Sequence, residues 1–457
     1  MLGWDPEMRR FAPALTLFVC LAMPVAASAS TIFVAKGRGF GHGIGMSQYG
    51  AQGFAQHGWD YKRILARYYK GTTVGSAPTK TIRVLLRSGA GSLVVSHASR
   101  AGTRKLNSAR AYTVRRRGNA VTISGGGRTR HFSGPVRLHG PSGYTRLGGN
   151  YRGAMELRPS VTSGGLTAIN VVALDAYVQG VIPGEMPPSW MPEALKVQAV
   201  AARSYALATD AGGPLFDQYS DTRSQVYRGM SSEQPSTNAA ARNTAGQVVL
   251  YKGTVATTYY FSTSGGQTEN VENVFYGAAP SPYLKSVKDP YDGGSPRHKW
   301  QIRLTRAQLG GRLGSLCRGR FRAIKVVKRG VSPRVVVADV VCSRRRIRTN
   351  GSALRFRLGL YDNWFTVTKA TSSASRVRSA SSPKVPLITA LVHPRTIAGS
   401  FSPRPEAVAV EHLEGAGWRL VARGLTNRLG EYSVPVYDGG TYRVTGGGVS
   451  AEPVRVR

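Results

Sequence analysis

The strongest constraint on the fold is the segment from Ala194 to Leu207, which is small or apolar on almost every face of a helix. Pro192 fits only in the first turn of such a helix, so it places the start. A helix that is apolar all round in a soluble protein has to be buried. Its polar residues, Gln198 and Arg203 among them, are therefore predicted to lie in the interior, where each needs a partner.

Two of these polar residues share a helix face and a third points elsewhere. Gln198 and Tyr205 are seven positions apart and lie on one face, whereas Arg203 points about a third of a turn or more away. A buried arginine either closes a structural ion pair or lines a pocket for an anionic or polar ligand. The helix considered alone favours the ion pair, and both interpretations stay open at this point.

A single carboxylate stands in an unusual setting just before this helix. Residues 180–193 read Gly-Val-Ile-Pro-Gly-Glu-Met-Pro-Pro-Ser-Trp-Met-Pro-Glu, which predicts an irregular, restricted and apolar turn around Glu185. A carboxyl that loses solvation has a raised pKa and can carry a proton at neutral pH. The alternative is a surface glutamate near a helix start, favoured by the helix dipole. The local sequence does not decide between the two.

The first residues have the pattern of a removable export signal. Residues 8–10 are Met-Arg-Arg, residues 11–26 form a short apolar run, and residues 27–29 are Ala-Ser-Ala, so residues 1–29 are predicted to be cleaved. Export favours a disulfide between Cys317 and Cys342, the cysteines that remain. Two cysteines and scattered histidines cannot form a four-ligand zinc site, so we predict no metal and no cofactor.

The chain is extremely basic, and the charge is spread along it. Lys and Arg number 62 against 23 Asp and Glu, a formal charge of +39. Such a field attracts polyanions, which outside a bacterial cell are anionic wall polymers or a lipid surface. A genome bias toward arginine on a solvated surface is the alternative. No recognised nucleic-acid motif accompanies the charge, so no specific nucleic-acid partner is predicted.

Periodicity predicts an α+β fold with more strand than helix. Short alternating runs with glycine-rich turns make residues 81–172 β-rich. Helices are expected at 47–56 and 60–69, in addition to the one after Glu185. Further strands are expected at 32–35, 247–251, 256–262, 323–327 and 334–341. Residues 370–385 have linker composition, and the short strands of residues 386–457 predict a small C-terminal β-sandwich that serves as a binding or spacing module.

Three polar, glycine-punctuated segments have the composition of ligand loops. They contribute Ser224, Gln225 and Tyr227, then Ser262 and Ser264, and in the glycine-rich block His42, Ser47 and Gln48. Each segment taken alone is equally explained as a turn. Residues 41–45 do not match a phosphate loop, because no Gly-Lys-Ser/Thr follows them.

One carboxyl with amides, hydroxyls and an arginine suits glycan chemistry, in which a general acid protonates a glycosidic oxygen. A glycoside hydrolase normally needs a second carboxylate, for which Asp221 and Asp175 are the nearest candidates. If the sugar supplies its own nucleophile, one carboxyl can act first as acid and then as base. Neither a Ser-His-Asp pattern nor His-Glu-x-x-His is present.

Together these segments resemble the stage II sporulation protein D family, SpoIID/LytB. The resemblance rests on motifs between residues 31 and 368: Tyr-Arg-Gly at 151–153, Leu-Asp-Ala-Tyr-Val-Gln-Gly-Val-Ile-Pro-Gly-Glu-Met-Pro at 174–187, Glu-Ala-Leu-Lys-Val-Gln-Ala-Val-Ala-Ala-Arg-Ser-Tyr-Ala at 193–206, Ser-Gln-Val-Tyr-Arg-Gly at 224–229, Ser-Gly-Gly-Gln-Thr at 264–268, the segments 282–289 and 358–360, and the block 37–50. It implies a SpoIID-like domain at residues 30–369.

The resemblance implies a lytic transglycosylase that cuts peptidoglycan between N-acetylmuramic acid and N-acetylglucosamine and leaves a 1,6-anhydro sugar. The muramic 6-hydroxyl would be the internal nucleophile, and Glu185 matches the catalytic acid/base. Arg203 matches an active-site arginine of the family, and Gln225, Tyr227, Ser262 and Ser264 fall in segments that resemble substrate-cleft segments. The residues predicted to bind substrate are these five with Gln198, Tyr205, Ser224, His42, Ser47 and Gln48. The LytB side of the family implies a different function, in which the protein binds the wall and stimulates an amidase. A structural polyanion-binding protein is a third hypothesis.

Two features depart from the family pattern. The Gly-His-Gly-x-Gly-Met-Ser-Gln block usually follows the Leu-Gly-Leu segment, but here it opens the mature chain. This predicts a permuted arrangement in which residues 31–75 pack beside residues 350–368 and near Glu185. Some members also bind zinc through a Cys/His cluster after the catalytic helix, whereas residues 206–228 contain neither residue type.

Overall fold

The structure is a computed structural model that describes residues 31–370 and 395–456, apart from short gaps. The gaps are residues 79, 162–163, 276, 401–406, 415–416, 426–430, 437–439, 447–448 and 452. The predicted signal peptide at residues 1–29 and the predicted linker beyond residue 370 lie outside the described residues.

The described residues contain seven α-helices, and each predicted helix is among them. They are α1 (Gln48–Gln56), α2 (Tyr61–Tyr68), α3 (Leu174–Glu185), α4 (Pro192–Ala208), α5 (Pro235–Asn243), α6 (Arg306–Leu313) and α7 (Gly351–Leu358). Helix α4 begins at the proline that the sequence places in its first turn. In the part of the chain that is described, no helix combines the length and the apolar character needed to cross a bilayer.

Strands outnumber helices, which confirms the α+β class. In chain order they are β1 (Ile32–Arg38), β2 (Met46–Ser47), β3 (Thr73–Ser76), β4 (Thr81–Ala90), β5 (Ser92–Val95), β6 (Arg100–Ala101), β7 (Arg104–Lys105), β8 (Tyr112–Arg117), β9 (Ala120–Gly125), β10 (Arg128–Ser133), β11 (Val136–Leu147), β12 (Gly149–Pro159), β13 (Leu166–Ala173), β14 (Gln218–Tyr219), β15 (Gln247–Tyr251), β16 (Thr254–Val255), β17 (Tyr260–Phe261), β18 (Lys299–Thr305), β19 (Phe321–Arg329), β20 (Val335–Cys342), β21 (Arg346–Asn350), β22 (Phe365–Lys369), β23 (Arg395–Ser400), β24 (Ala407–Glu414), β25 (Gly417–Leu425), β26 (Glu431–Val436), β27 (Gly440–Gly446), β28 (Val449–Ser450) and β29 (Val454–Val456).

The largest sheet has seven strands in the order β14-β4-β13-β12-β11-β6-β7. The main core lies around helix α4. Val197, Val200 and Ala201 of that helix are fully buried, and α4 packs against α1, α2, α3, α5 and β15. The prediction that this helix is buried on all sides is therefore confirmed.

The N-terminal strand joins distant parts of the chain. Strand β1 lies between β18 and β22 in an antiparallel sheet, with Phe33 opposite Leu304 on one side and Lys369 on the other. A second core under this sheet includes Phe33, Trp300 and Phe365. Residues 33–37 thus pack beside residues 365–369.

Two of the three cysteines, Cys317 and Cys342, lie in this second core region and are joined by a disulfide. Cys317 and Cys342 have a Cα–Cα distance of 5.5 Å and are separated by 25 positions in sequence. The bond ties the segment after α6 to the end of β20.

Residues 256–262 differ from the single strand that the sequence predicts. Only Tyr260–Phe261 forms a strand there, in a short parallel pair with β2. The preceding residues are held by separate bonds: the Ala256 N–H donates to the Val249 carbonyl at 2.9 Å, and the Thr258 hydroxyl donates to the Ala201 carbonyl of α4 at 2.7 Å.

Beyond the predicted linker, the strands form two antiparallel sheets. Strands β23 and β26 form one pair, and the other sheet runs β25-β24-β27-β28 with β29 beside β27. The strand content agrees with a small β module, and its sandwich packing stays a prediction.

Candidate active site

A cavity of about 380 Å³ lies where α3, α4 and the glycine-rich block meet. It is lined by Phe40, Gly41, His42, Glu185, Tyr205, Thr222, Arg223, Ser224, Tyr259, Tyr260, Phe261, Ser262 and Phe275. The structure thus brings together Glu185, His42, Tyr205, Ser224 and Ser262 among the predicted site residues. The walls are mostly aromatic, and one acidic group projects among them.

Glu185 is the last residue of helix α3 and not part of an irregular turn. The helix continues through Pro183, so the sequence-based description of this segment was wrong in its local conformation. The placement has an electrostatic consequence. The C-terminal end of a helix carries partial negative charge, which disfavours an ionised carboxylate there.

A backbone amide fixes the carboxyl of Glu185. The Val226 N–H donates to Oε1 at 2.7 Å. This contact requires the segment containing Val226 to approach α3 closely. A Cβ on Gly184 would lie 2.7 Å from the Val226 carbonyl oxygen, so glycine is required next to the acid.

Two glutamines from distant parts of the chain meet behind Glu185. The Gln48 side-chain amide donates to the Glu185 backbone carbonyl at 3.1 Å and to Gln198 Oε1 at 3.3 Å. Both glutamines are buried. They therefore position the end of α3, and they link the glycine-rich block and α4 to the acid without lining the cavity.

Burial raises the pKa of Glu185 above its ordinary value. The Val226 amide, contacts with Gln48 and Tyr260, and the positive charge of Arg228 oppose this shift. The side chain remains partly exposed to the cavity. The arrangement favours a proton on an acid that a ligand can still reach.

Tyrosine hydroxyls next to the acid are kept protonated. Burial raises the pKa of Tyr205 to about 12, with Tyr259 and Glu185 adding to the shift. Burial also raises the pKa of Tyr260 well above its usual range. Tyr260 donates to Gln225 Oε1 at 2.8 Å, and the Gln225 amide donates to the Tyr177 hydroxyl at 3.1 Å. Gln225 is buried, so it orients Tyr260 from behind and is not itself in the cavity.

His42 lines the cavity as a neutral imidazole. Its Nδ1 accepts from the Ile44 N–H at 3.0 Å, which leaves Nε2 to donate to the Tyr260 carbonyl at 3.1 Å. Burial, together with the charges of Arg355 and Arg334, lowers the pKa of His42 to about 3. With both nitrogens engaged, His42 holds the glycine-rich block against β17 and is not a proton carrier.

Arg203 does not reach the cavity, which corrects its assignment to substrate binding. Its side chain is fully buried, and Nε donates to Asp175 Oδ1 at 2.8 Å. The guanidinium also donates to the carbonyls of Gln247 at 2.9 Å and Ala241 at 3.3 Å. It therefore joins α4 to α3, α5 and β15, as the ion-pair interpretation of the helix predicts.

Three further predicted ligand residues are buried supports. Ser47 caps α1 by accepting from the Gly50 N–H, and it also accepts from the Ser264 N–H. Ser264 in turn donates to Asp292 Oδ2 at 2.9 Å. Tyr227 donates to Asn170 Oδ1 at 2.6 Å and is 4% exposed. Each was predicted to bind substrate, because in sequence a polar loop residue that bonds to a buried partner cannot be distinguished from one that contacts a ligand.

Neither candidate for a second carboxylate lines the cavity. Asp221 pairs with Arg223 at 2.7 Å, and Asp175 pairs with Arg203 at 2.6 Å. Among the residues that the structure describes, Glu185 is the only carboxyl in the lining. The described ranges also contain no group of three or more His, Cys, Asp or Glu side chains placed to hold a metal ion.

Sequence reasoning missed most of the aromatic wall. Tyr259, Tyr260 and Phe261 were assigned to a strand without a site role, and Phe40 and Phe275 were not considered. The run Thr-Thr-Tyr-Tyr-Phe-Ser at 257–262 was the available signal, since consecutive aromatic residues cannot all face one core.

Comparison with known proteins finds a family match for the part of the chain that carries Glu185, Tyr205 and Ser224. Residues 162–251 match the SpoIID family model, described as Stage II sporulation protein. An uncharacterized protein of Brachyspira hyodysenteriae (strain ATCC 49526 / WA1) is 39% identical over 148 residues, covering 32% of this chain and 39% of that protein. Stage II sporulation protein D of Bacillus subtilis (strain 168) is 35% identical over 214 residues, covering 42% of this chain and 60% of the relative.

A third relative has a different name. The Amidase enhancer of Bacillus subtilis (strain 168) is 42% identical over 132 residues, which cover 29% of this chain and 17% of the relative. This chain thus spans less than two thirds of the length of each of the three relatives. It carries a SpoIID domain and is homologous to proteins named Stage II sporulation protein D and Amidase enhancer, which confirms the family predicted from its motifs.

Proposed function

We propose that this protein is an exported peptidoglycan lytic transglycosylase that cleaves the linkage between N-acetylmuramic acid and N-acetylglucosamine. The observation that carries the proposal is one protonatable carboxyl, Glu185, in an aromatic cavity with no second carboxyl in its described lining. A hydrolase that activates water needs two carboxyl groups on either side of the bond. One suffices when the substrate provides its own nucleophile.

The reaction needs two proton transfers at one carboxyl. Glu185 gives its proton to the glycosidic oxygen as the bond from that oxygen to muramic C1 breaks. The resulting carboxylate then takes the proton of the muramic 6-hydroxyl as that oxygen bonds to C1, which forms the 1,6-anhydro ring and restores the acid. The Val226 N–H holds Oε1 throughout, and the neutral hydroxyl of Tyr205 offers a polar contact for the sugar.

Product analysis with the protein alone tests this proposal. Purified peptidoglycan incubated with the protein should release muropeptides that are lighter by one water than hydrolysis products, as mass spectrometry measures directly. Products with a reducing end would show hydrolysis instead, and intact glycan would reject catalysis.

The second candidate function is stimulation of a cell-wall amidase, favoured by the relative named Amidase enhancer. In that case the protein binds glycan strands in the same cavity without cutting them. Adding an amidase separates the two functions. An enhancer raises the release of stem peptides by the amidase and produces no anhydro sugar in its absence.

The pH dependence follows from the raised pKa of Glu185. Only the protonated acid starts the reaction, so activity is lost as pH rises through that raised pKa. The charge of Arg228, an exposed residue, lowers this pKa. Arg228→Gln should therefore move the alkaline limb of the pH–rate profile to a pH that is higher by about 0.2–0.5 unit. The measurement is the rate of anhydro-muropeptide release against pH. A limb that stays in place or moves to lower pH would contradict this assignment.

A further inference from the structure

A second cavity lies apart from Glu185, against the sheet of β18, β1 and β22. Its volume is about 710 Å³. The charged and aromatic residues that line it are Lys36, Arg38, Lys299, Arg329, Trp300, Trp364 and Phe365. The described lining includes four cations and no acidic residue.

These cations are not neutralised within the protein. In the described ranges, none of the four forms an ion pair with a carboxylate, although many other arginines of the chain do. Arg38 and Lys299 lie directly opposite each other across the antiparallel pair of β1 and β18. Like charges in that position destabilise a sheet. The arrangement costs stability unless an anion lies between them.

The basic side chains are held in place from several sides. Arg38 donates to the Gly265 carbonyl at 3.4 Å, and its guanidinium lies 5.6 Å from the Trp364 ring centroid. Arg329 donates to the carbonyls of Pro333 and Phe365. Arginines positioned in this way present fixed N–H groups, which match the oxygens of a phosphate.

We propose that this cavity is a binding site for phosphodiester groups of an anionic polyol-phosphate polymer, as found in bacterial walls. Nucleic acid carries the same charge, but single strands bind through bases stacked on free aromatic faces. Here Trp300 is 8% exposed and packs on Gly37, and Arg38 lies against Trp364. The cavity therefore offers charge without a stacking platform, which favours a polymer without bases.

The site adjoins the active-site cavity through one short segment. Arg38 lines the cationic cavity and Phe40 lines the cavity of Glu185. A polymer held on the sheet would keep the protein on the wall beside its glycan strands. The inference does not require Glu185 to be catalytic, since binding can be measured with no turnover.

The test measures binding of fluorescent poly(glycerol phosphate) by the mature protein at physiological salt. Removing two exposed charges with K36Q/K299Q should weaken binding by about tenfold. The control R115Q/R128Q removes the same charge from exposed positions in β8 and β10 and should weaken it by less than about twofold. If both variants weakened binding equally, or if neither weakened it, the assignment of this cavity as the binding site would be wrong.

Competition between polymers tests which ligand the cavity binds. Unlabelled poly(glycerol phosphate) should displace the probe, whereas polyglutamate or single-stranded DNA of equal charge should need at least about tenfold more. Displacement by either at equal concentration would overturn the ligand assignment.

The repulsion between Arg38 and Lys299 is tested by thermal unfolding. Without ligand, Lys299→Gln should raise the melting temperature by about 1–3 °C, because it removes the repulsion of Arg38. An unchanged or lower value would contradict the argument from like charges.

Discussion

Glu185→Gln should lower the rate of anhydro-muropeptide release by about 10²–10⁴-fold. Glutamine has the same shape, and its carbonyl oxygen can still accept the Val226 N–H that binds Oε1. It cannot donate an acidic proton to a glycosidic oxygen or take one from a hydroxyl. The loss should appear in kcat, because contacts of the sugar with the aromatic wall are unchanged. Initial rates on purified glycan strands measure it.

Glu193→Gln provides the matched control. Glu193 lies in the first turn of α4, where its carboxylate accepts from the Tyr61 N–H and pairs with Lys196 outside the cavity. The same chemical change there should leave activity within about twofold. If Glu185→Gln kept more than about a tenth of the activity, another group would have to be the acid.

Thermal stability separates a catalytic defect from a folding defect. The pKa of Glu185 is raised in the folded protein, so the carboxyl favours the fold when protonated, and this contribution is lost as pH rises through the raised value. Glutamine does not ionise. Glu185→Gln should therefore be at least as stable as the original protein at alkaline pH, although it is inactive.

The parts of the fold that local sequence determines were predictable. Helix α4 was predicted because the apolar character of its faces and Pro192 are both local signals. The end of α3 was not, because Gly184, Pro187 and Pro188 indicate an irregular turn around Glu185 when considered alone, whereas the helix continues through Pro183. Packing of α3 against β13, α4 and α5 keeps the helix through that proline, which places Glu185 at its negative end.

The division of polar residues into cavity and core could not be predicted from one sequence. Gln225 and Tyr227 occupy the same short motif as Ser224, yet only Ser224 lines the cavity. Their partners, Tyr260 and Asn170, lie 35 and 57 positions away in the chain. Local pattern carries no information about such contacts, so a polar motif identifies the region of a site more reliably than its lining.

Arg203→Met should destabilise the fold by about 1–3 kcal/mol, the cost of leaving buried polar groups without their donor, since Arg203 is fully buried whereas the side chain of Asp175 is 39% exposed. Methionine fills much of the volume but leaves Asp175 without its cation and the carbonyls of Gln247 and Ala241 without their donor. These bonds join α4 to three neighbouring elements, so the loss acts on the main core. The free energy of unfolding in denaturant measures it, and activity is expressed per folded molecule.

A control on the same helix isolates the effect of burial. Lys196→Met also removes a cation from α4, but Lys196 pairs with Glu193 at a partly exposed position, so the cost should be below about 1 kcal/mol. If Arg203→Met does not fold, Asp175→Asn tests the same pair: the amide oxygen can still accept from Nε, but the buried guanidinium loses its counter-charge, so this variant should also be less stable than the original protein. Both core variants should retain the KM for glycan once folded. If Arg203→Met left the stability unchanged and raised the KM, Arg203 would have to bind substrate. The side of α4 that carries Arg203 would then have to be accessible from the cavity.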